Sequence, residues 1–157
     1  MNRSLAAFVV AAALLRPVPA DPAAPPDGRP VDYPLRTSGG EAASVRDYLG
    51  SKPVLLAFWA TWCPACKDTI PRLKEIETGL LRDKVKLLAV DYLESREKVA
   101  SFIRKLNIPY TVLLDRDGTV ARRFRVQGVP AYILLDGRGE IAWRGHALPE
   151  DIESLLR

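Results

Sequence analysis

Residues 54–66 read Val-Leu-Leu-Ala-Phe-Trp-Ala-Thr-Trp-Cys-Pro-Ala-Cys, an apolar run that leads into two cysteines. Residues 54–60 are all apolar, which predicts a central β-strand covered on both of its faces. Helical spacing of apolar residues then begins at about Cys63 and continues to about Leu81. The sequence therefore predicts a strand–helix junction with Cys63 and Cys66 in the first turn of the helix.

The two cysteines are placed to react with each other. At a helix N-terminus, unpaired N–H groups and the helix dipole favour a thiolate, so we expect the pKa of Cys63 to lie below the free value of about 8.5. Cys66 lies three residues later on the same face, so a disulfide can form and break without refolding. Such a small ring adds little stability, because the entropic gain grows with loop length. We interpret Cys63 as the attacking nucleophile and Cys66 as the resolving thiol.

Strand and helix patterns alternate through the rest of the chain. After the first helix they predict a strand at Val85–Val90, a helix capped by Ser95 with Val99, Phe102, Ile103 and Leu106 on one face, a strand at Thr111–Leu114, a turn at Asp115–Gly118, an antiparallel hairpin of Ala131–Leu135 and Ile141–Arg144, and a final helix from Pro149 to Leu156. A strand pair within Asp32–Leu49 precedes them. This order predicts an α/β fold, a central mixed β-sheet with helices on both faces.

A proline stands directly ahead of the predicted hairpin, in the pair Val129-Pro130. Proline fits poorly in a regular strand ladder because it has no N–H to donate. Two interpretations remain open from the residue alone. One is an ordinary proline at a strand entry, and the other is a cis peptide bond in a tight turn.

Composition narrows the class of protein. The chain has 157 residues, 48% hydrophobic and 27% charged, which is typical of one globular domain. Its two Cys and one His exclude a disulfide scaffold and a pair of zinc-finger halves. The net charge of +4 includes Arg3 and Arg16, and the remainder is nearly balanced, so no nucleic-acid partner is expected. We interpret the basic cluster of Arg122, Arg123 and Arg125 as a solvated face.

The first residues are typical of a secretory signal peptide. Arg3 is followed by eleven apolar residues, too few for a membrane span of about 20, and then by the small-x-small exit Val18–Ala20. An uncleaved amphiphilic tail is the alternative. We expect cleavage after Ala20, a periplasmic location without a stable membrane span, and a pair of cysteines that tends to be oxidised. The predicted division is a signal peptide at 1–20, a Pro-rich linker at 21–30 and one domain at 31–157.

The sequence resembles the thioredoxin superfamily, and within it the exported TlpA/ResA-type thiol–disulfide oxidoreductases. The resemblance extends from about Val31 to Arg157. Its motifs are Phe58–Lys67, Pro71, Leu87–Val90, Val129-Pro130 and Asp136–Ile141.

The resemblance implies a thioredoxin-like fold and a specific site. Cys63 would be the nucleophile and Cys66 the resolving thiol, with a cis Val129–Pro130 bond packed beside their disulfide. The Val129 backbone would pair with an extended segment of the substrate, and Trp62 and Pro64 would also contact that substrate. Protein disulfides or dithiols are the implied substrates of a monomer that uses no cofactor or metal. An inner-membrane electron donor would reduce the pair again.

Three positions depart from the family pattern. Classical thioredoxins have a buried Asp where this chain has Ala57, and the ResA-like branch often has a Glu where this chain has Thr69. The usual proton acceptor for Cys66 is thus absent from both places, and Asp68 or a water is a possible substitute. Ala131 stands where the cytochrome c maturation branch usually has an acid, which weakens that role relative to general periplasmic redox homeostasis.

Two functions are alternatives to the reduction of protein disulfides. A thiol peroxidase would need a Pro-x-x-x-Thr/Ser-x-x-Cys arrangement, but Leu56 and Ala60 occupy those places before Cys63. A Cu(I)-binding dithiol module is the other alternative, since soft thiolates suit Cu(I). His146, the single His, is interpreted as a loop residue ahead of the last helix.

Overall fold

The computed structural model describes residues 30–156. The signal peptide predicted at 1–20 and the linker at 21–30, apart from its last residue, lie outside these described residues. The first described element is a 3-10 turn at Pro30–Asp32.

The elements follow the predicted order closely. The strands are β1 Leu35–Thr37, β2 Ala42–Ala43, β3 Val54–Trp59, β4 Lys86–Tyr92, β5 Thr111–Asp115, β6 Ala131–Leu135 and β7 Ile141–Gly145. The α-helices are α1 Pro64–Thr78, α2 Arg96–Leu106 and α3 Thr119–Arg123, and short 3-10 helices occupy Pro30–Asp32, Val45–Tyr48 and Ile152–Leu156. The chain is therefore an α/β protein.

The strands described in residues 30–156 form one mixed sheet in the order β2-β1-β5-β4-β3-β6-β7. Strand β3 pairs in parallel with β4 and antiparallel with β6, so both of its hydrogen-bonding edges are occupied. All six residues of β3 are buried. This is the arrangement that its unbroken apolar sequence predicts, because alternation is lost when both faces of a strand are covered.

Helices cover both faces of the sheet, as predicted. Alternate residues of β3 point to opposite faces: Leu55, Ala57 and Trp59 belong to the core beneath α1 and α2. Leu56 and Phe58 belong to the core on the other face, which α3 closes. Helices α1 and α2 lie on the same face of the sheet. They connect the adjacent parallel strands β3, β4 and β5, and successive crossovers of the same hand place their helices on the same side.

Helix α3 was not predicted from the sequence, which indicated only a turn at Asp115–Gly118. The buried carboxylate of Asp115 accepts hydrogen bonds from the N–H groups of Val120 at 3.1 Å and Ala121 at 2.7 Å. These donors belong to the first turn of the helix, where no intrahelical acceptor exists. The helix is followed by Phe124, whose ring is fully buried 5.9 Å from that of Phe58. Asp115 thereby anchors the segment that leads to the predicted site at Val129.

Two sequence interpretations need correction. The final helix does not start at Pro149. It is a 3-10 helix at Ile152–Leu156, and it starts there because the Asp151 carboxylate directly ahead of it accepts from the Ser154 N–H at 3.2 Å as a cap. The cluster of Arg122, Arg123 and Arg125 is not simply a solvated face. The guanidinium of Arg123 lies 3.3 Å from the centroid of the Tyr33 ring, a cation–π contact.

The edges of the sheet are short or irregular. Strand β2 has only two residues, and the pairing of β6 with β7 shifts register between Leu134 and Leu135. Among residues 30–156, no helix has the length and apolar character needed to cross a membrane.

The capping role of Asp115 predicts a marked loss of stability in Asp115→Ala. The substitution leaves two buried N–H groups without acceptors, so we expect the free energy of unfolding to fall by about 2 kcal/mol. Urea denaturation followed by far-UV circular dichroism measures this change. The matched control is Asp117→Ala, which removes an exposed acceptor of the Thr119 N–H and should cost less than half as much. Equal losses in the two variants would contradict the anchoring role.

Candidate active site

The cysteines occupy the junction between β3 and α1. Helix α1 begins at Pro64, immediately after Cys63, which has the extended backbone of an N-cap residue. The Cys66 N–H donates to the sulfur of Cys63 across 3.1 Å, so that sulfur occupies the position of a capping acceptor. The two cysteines form a disulfide with their Cα atoms 5.3 Å apart, and both residues are buried. An N–H directed at sulfur is an arrangement that stabilises a thiolate once the disulfide is opened.

The Val129–Pro130 segment packs against this disulfide. The peptide bond is cis, which decides between the two interpretations left open by the sequence. The carbonyl oxygen of Val129 lies 3.8 Å from the sulfur of Cys63. Strand β6 begins at the next residue, Ala131, opposite Phe58 of β3. Pairing between β3 and β6 therefore carries the proline segment to the sheet end where the cysteines lie.

Around the disulfide is a rim formed by Trp62, Pro64 and Val129. Trp62 is 57% exposed, Pro64 is exposed, and Val129 is partly buried. Leu93, which the sequence analysis did not single out, is 51% exposed and follows β4 at the same end of the sheet. The structure thus brings the predicted site residues together, while their individual roles remain predictions.

A buried carboxylate fixes the turn that precedes Cys63. Glu94 accepts from the N–H of Thr61 at 2.5 Å and from its hydroxyl at 2.7 Å. Lys98 forms an ion pair with the same carboxylate at 2.5 Å. Burial raises the pKa of Glu94, but the hydrogen bonds from Lys98 and Thr61 outweigh burial and hold that pKa below its ordinary value. An ionised Glu94 therefore holds in place the backbone that leads into Cys63.

A second buried acid, Asp91, lies beside Glu94. Asp91 is at the end of β4, in register with Trp59 of β3, and is completely buried. Burial is the main cause that raises the pKa of Asp91 to about 8, and the neighbouring Glu94 adds to it. Neither carboxylate oxygen of Asp91 has a hydrogen-bond partner among the described residues, and an ionised Asp91 would also face the like charge of Glu94. Asp91 is thus predominantly neutral at neutral pH.

The two positions near Cys66 at which the sequence resemblance implies an acid are occupied by Ala57 and Thr69. Ala57 is in register with Tyr132 of β6, which is buried on the same face. The Tyr132 hydroxyl donates to the hydroxyl of Thr69 at 2.9 Å, which in turn donates to the Cys66 carbonyl at 2.9 Å. Asp68, the possible substitute, is exposed. A hydroxyl pair therefore replaces a carboxylate beneath Cys66.

His146 follows β7 as the predicted loop residue, but it also contacts the proline segment. Its Nδ1 lies 3.0 Å from the Pro130 carbonyl oxygen. Since a carbonyl only accepts, Nδ1 carries the proton of this hydrogen bond. Among residues 30–156, no group of three or more His, Cys, Asp or Glu side chains is arranged to hold a metal ion.

Sequence reasoning missed Asp91, Glu94, Tyr132 and the contact of His146. One signal was available for Asp91, since a carboxylate directly after an apolar parallel strand must lie at the same sheet end as the cysteines. The other contacts join residues 16 to 63 positions apart and depend on packing.

The amino-acid sequence of the chain is similar to that of known thioredoxin-like proteins and thiol-disulfide oxidoreductases. A family model described as the AhpC/TSA family matches residues 28–144. The thioredoxin-like protein YneN of Bacillus subtilis is 33% identical over 113 residues, covering 70% of this chain and 65% of YneN. The thiol-disulfide oxidoreductase ResA of Geobacillus kaustophilus is 31% identical over 127 residues, covering 80% of this chain and 72% of ResA.

A solved structure shows the same architecture. The crystal structure of StoA from Bacillus subtilis superimposes with a TM-score of 0.66 at 26% identity, covering 79% of this chain and 92% of StoA. The predicted thioredoxin-like fold is confirmed.

The raised pKa of Asp91 predicts a pH-dependent stability. Between about pH 4 and about pH 8, folded Asp91 keeps a proton that the unfolded chain has lost, so the free energy of unfolding falls as the pH rises. Asp91→Asn removes the titrating carboxyl group, so the variant lacks this loss of stability with rising pH. We therefore expect the stability of the variant relative to the wild type to rise with pH, by up to about 1.4 kcal/mol per pH unit. Urea denaturation of the oxidised proteins across this range measures the difference.

The control for Asp91→Asn is Asp68→Asn, which removes one negative charge from an exposed position of α1. It shows how the loss of one exposed negative charge alone changes the stability curve, and the rise with pH assigned to Asp91 is the part by which Asp91→Asn exceeds this control. If Asp91→Asn gives a curve parallel to that of this control, Asp91 is ionised in the folded protein and the assignment is wrong.

Proposed function

The chain belongs to the AhpC/TSA family, and on that premise we propose that it is a thiol–disulfide oxidoreductase that reduces protein disulfides outside the cytoplasm. The observation that carries the proposal is the capping contact at the junction of β3 and α1. The N–H of Cys66 points at the sulfur of Cys63, its disulfide partner. A sulfur atom held in this way is a stable thiolate when reduced and a site of attack when oxidised.

The first step is attack by the reduced protein. The Cys63 thiolate attacks one sulfur of the substrate disulfide, so that a bond forms between Cys63 and the substrate while the substrate's own S–S bond breaks. The second substrate sulfur leaves as a thiolate and takes up a proton from solvent. The N–H of Cys66 stabilises the attacking thiolate of Cys63 before this step.

The second step releases the substrate. Cys66, in the first turn of the same helix, loses its proton and attacks the sulfur of Cys63. The Cys63–Cys66 bond forms, the bond to the substrate breaks, and the remaining substrate sulfur leaves as a thiolate. The substrate has gained two electrons, and the protein is left with the Cys63–Cys66 disulfide that the structure contains.

A polypeptide substrate suits the surroundings of the disulfide. Both cysteines are buried, so the partner must approach over the rim of Trp62, Pro64 and Val129. Exposed apolar side chains at this sheet end, Trp62 and Leu93, can be covered by a bound chain. The Val129 backbone next to Cys63 supports pairing with an extended segment of the substrate, which would hold a substrate cysteine against the disulfide.

The proposal places this reaction in the periplasm. Its support is the signal-like sequence of residues 1–20, with a basic start, a short apolar run and the exit at Ala20. In that oxidising compartment a reductase needs a source of electrons. We assign this role to an inner-membrane electron donor, and we regard the working form of the protein as a monomer.

The site does not favour the thiol-peroxidase alternative. The positions that would carry the peroxide-binding hydroxyl and its proline hold Ala60 and Leu56, both buried and apolar. The hydroxyl of the next residue, Thr61, donates to Glu94.

The division of roles between the cysteines predicts an asymmetric trap. Reduced Cys66→Ser should retain its substrate as a mixed disulfide through Cys63, because the resolving thiol is missing. Cys63→Ser should retain none. Non-reducing electrophoresis with and without dithiothreitol, after incubation with a disulfide-bonded model protein, measures the trapped fraction. Equal trapping by both variants would show that the roles are wrongly assigned.

The direction of electron flow predicts the reduction potential of the Cys63–Cys66 pair. A protein that delivers electrons should have a value nearer that of thioredoxin, about −270 mV, than that of DsbA, about −120 mV. Equilibration in dithiothreitol and glutathione buffers, followed by thiol alkylation and mass spectrometry, gives the value. A potential close to that of DsbA would mean that the protein forms disulfides in its partners instead of reducing them.

A further inference from the structure

A basic cavity lies beside the cis-proline segment, on the α3 side of the sheet. Its volume is about 180 Å³, and its lining includes Arg125, Gln127, Ala131, Arg144 and His146. Every residue that lines it belongs to the described part of the chain, and none of them is acidic. The mechanism described above uses neither arginine.

The two arginines have no carboxylate partner within the described residues. Arg144 is in register with Ile133 of β6, and its guanidinium donates to the Phe124 carbonyl at 3.4 Å. Arg125 directly follows Phe124 with a left-handed φ of 55°, a conformation that non-glycine residues seldom adopt. Within residues 30–156, neither arginine has a carboxylate within ion-pair distance.

The cavity is tied to the reacting centre. His146 lines it and donates to the Pro130 carbonyl, while Ala131 forms part of its wall. Ala131 is two residues from Val129, whose carbonyl lies 3.8 Å from the sulfur of Cys63. Two residues span at most about 7 Å. An extended chain advances about 3.3 Å per residue, so a substrate segment paired with Val129 brings a side chain to the cavity within about three residues of its reacting cysteine.

From this geometry we propose that the cavity between Arg125 and Arg144 is a specificity subsite for an acidic side chain of the polypeptide substrate, an Asp or Glu within about three residues of the cysteine that Cys63 attacks. Guanidinium groups bind carboxylates through paired, charge-assisted hydrogen bonds. The proposal rests on the proposed function, because it needs a polypeptide that is reduced at Cys63. It adds to that function a preference for substrates with an acidic residue close to the attacked cysteine.

The test compares matched peptide substrates. Three peptides share one intramolecular disulfide and differ only at the second residue after the reacting cysteine, which is Glu, Gln or Lys. The full chain is reduced beforehand, and the second-order rate constant for reduction of each peptide is measured by acid quench and chromatography. The wild type should reduce the Glu peptide at least about fivefold faster than the Gln peptide, and the Lys peptide most slowly. High salt should shrink this preference, because ions screen the attraction.

Arginine variants test whether the preference for the Glu peptide arises at the cavity. In Arg125→Gln/Arg144→Gln, the ratio of Glu to Gln rates should fall to within twofold of unity. The matched control Arg82→Gln/Arg138→Gln removes the same charge at exposed positions, one after α1 and one in the turn between β6 and β7, and should keep the wild-type ratio. The single variant Arg125→Gln, at an exposed residue, should show an intermediate ratio, and it provides the test if the double variant does not fold.

The outcomes separate the subsite from the proposed function. Equal rates for the three peptides in the wild type would overturn the subsite and leave disulfide reduction standing. A preference that survives in Arg125→Gln/Arg144→Gln would also overturn it, because recognition would then lie elsewhere. If the protein reduces none of the peptides but still reduces hydroxyethyl disulfide, protein-disulfide reduction itself fails, and the subsite fails with it.

Discussion

The N–H of Cys66 needs an acceptor at the start of α1, and the sulfur of Cys63 supplies it. This one contact joins the folding of the helix to the chemistry of the site, because the capping atom is also the reacting atom. It requires that the chain leave β3 and enter α1 without a long loop. Strand β3 is fixed by β4 and β6 on its two edges, and Glu94 holds Thr61 within the short turn that follows. The orientation of the sulfur is thus a consequence of the whole centre of the sheet.

Sequence patterns were sufficient to predict the strands and helices whose buried residues recur regularly along the whole element. The apolar run at 54–60 and the helical spacing of Val99, Phe102, Ile103 and Leu106 each correspond to an observed element, because periodicity reports burial directly. Helix α3 escaped detection because five residues are too few to show a period, and its cap Asp115 precedes it by four residues. The last helix was overextended because Pro149 and the acids after it resemble a helix start. Asp151 uses its carboxylate as the cap instead.

The candidate site was predictable where its residues are close in sequence. Cys63 and Cys66 stand in one short motif, and the cis bond at Pro130 followed from the resemblance. The electrostatic surroundings were not predictable in this way. Asp91 meets Trp59 only through strand pairing, and Tyr132 reaches Thr69 across the sheet. The absence of an acid at Ala57 and Thr69 was visible in the sequence, but the hydroxyl pair that takes its place needed three-dimensional contacts.

The short strand β2 and the shifted register between β6 and β7 affect how readily the protein aggregates with other polypeptides. Exposed edge strands invite intermolecular β-pairing and aggregation, and natural sheets blunt them by brevity or irregularity. A protein that binds extended polypeptides, as we propose for this one, is more exposed to such pairing than most proteins. Here one edge strand, β2, has only two residues, and the other edge strand, β7, pairs with β6 through an irregular ladder. Strand addition is therefore discouraged at both edges of the sheet, and the proposed pairing of a substrate segment with Val129 lies away from these edges, beside the Cys63–Cys66 disulfide.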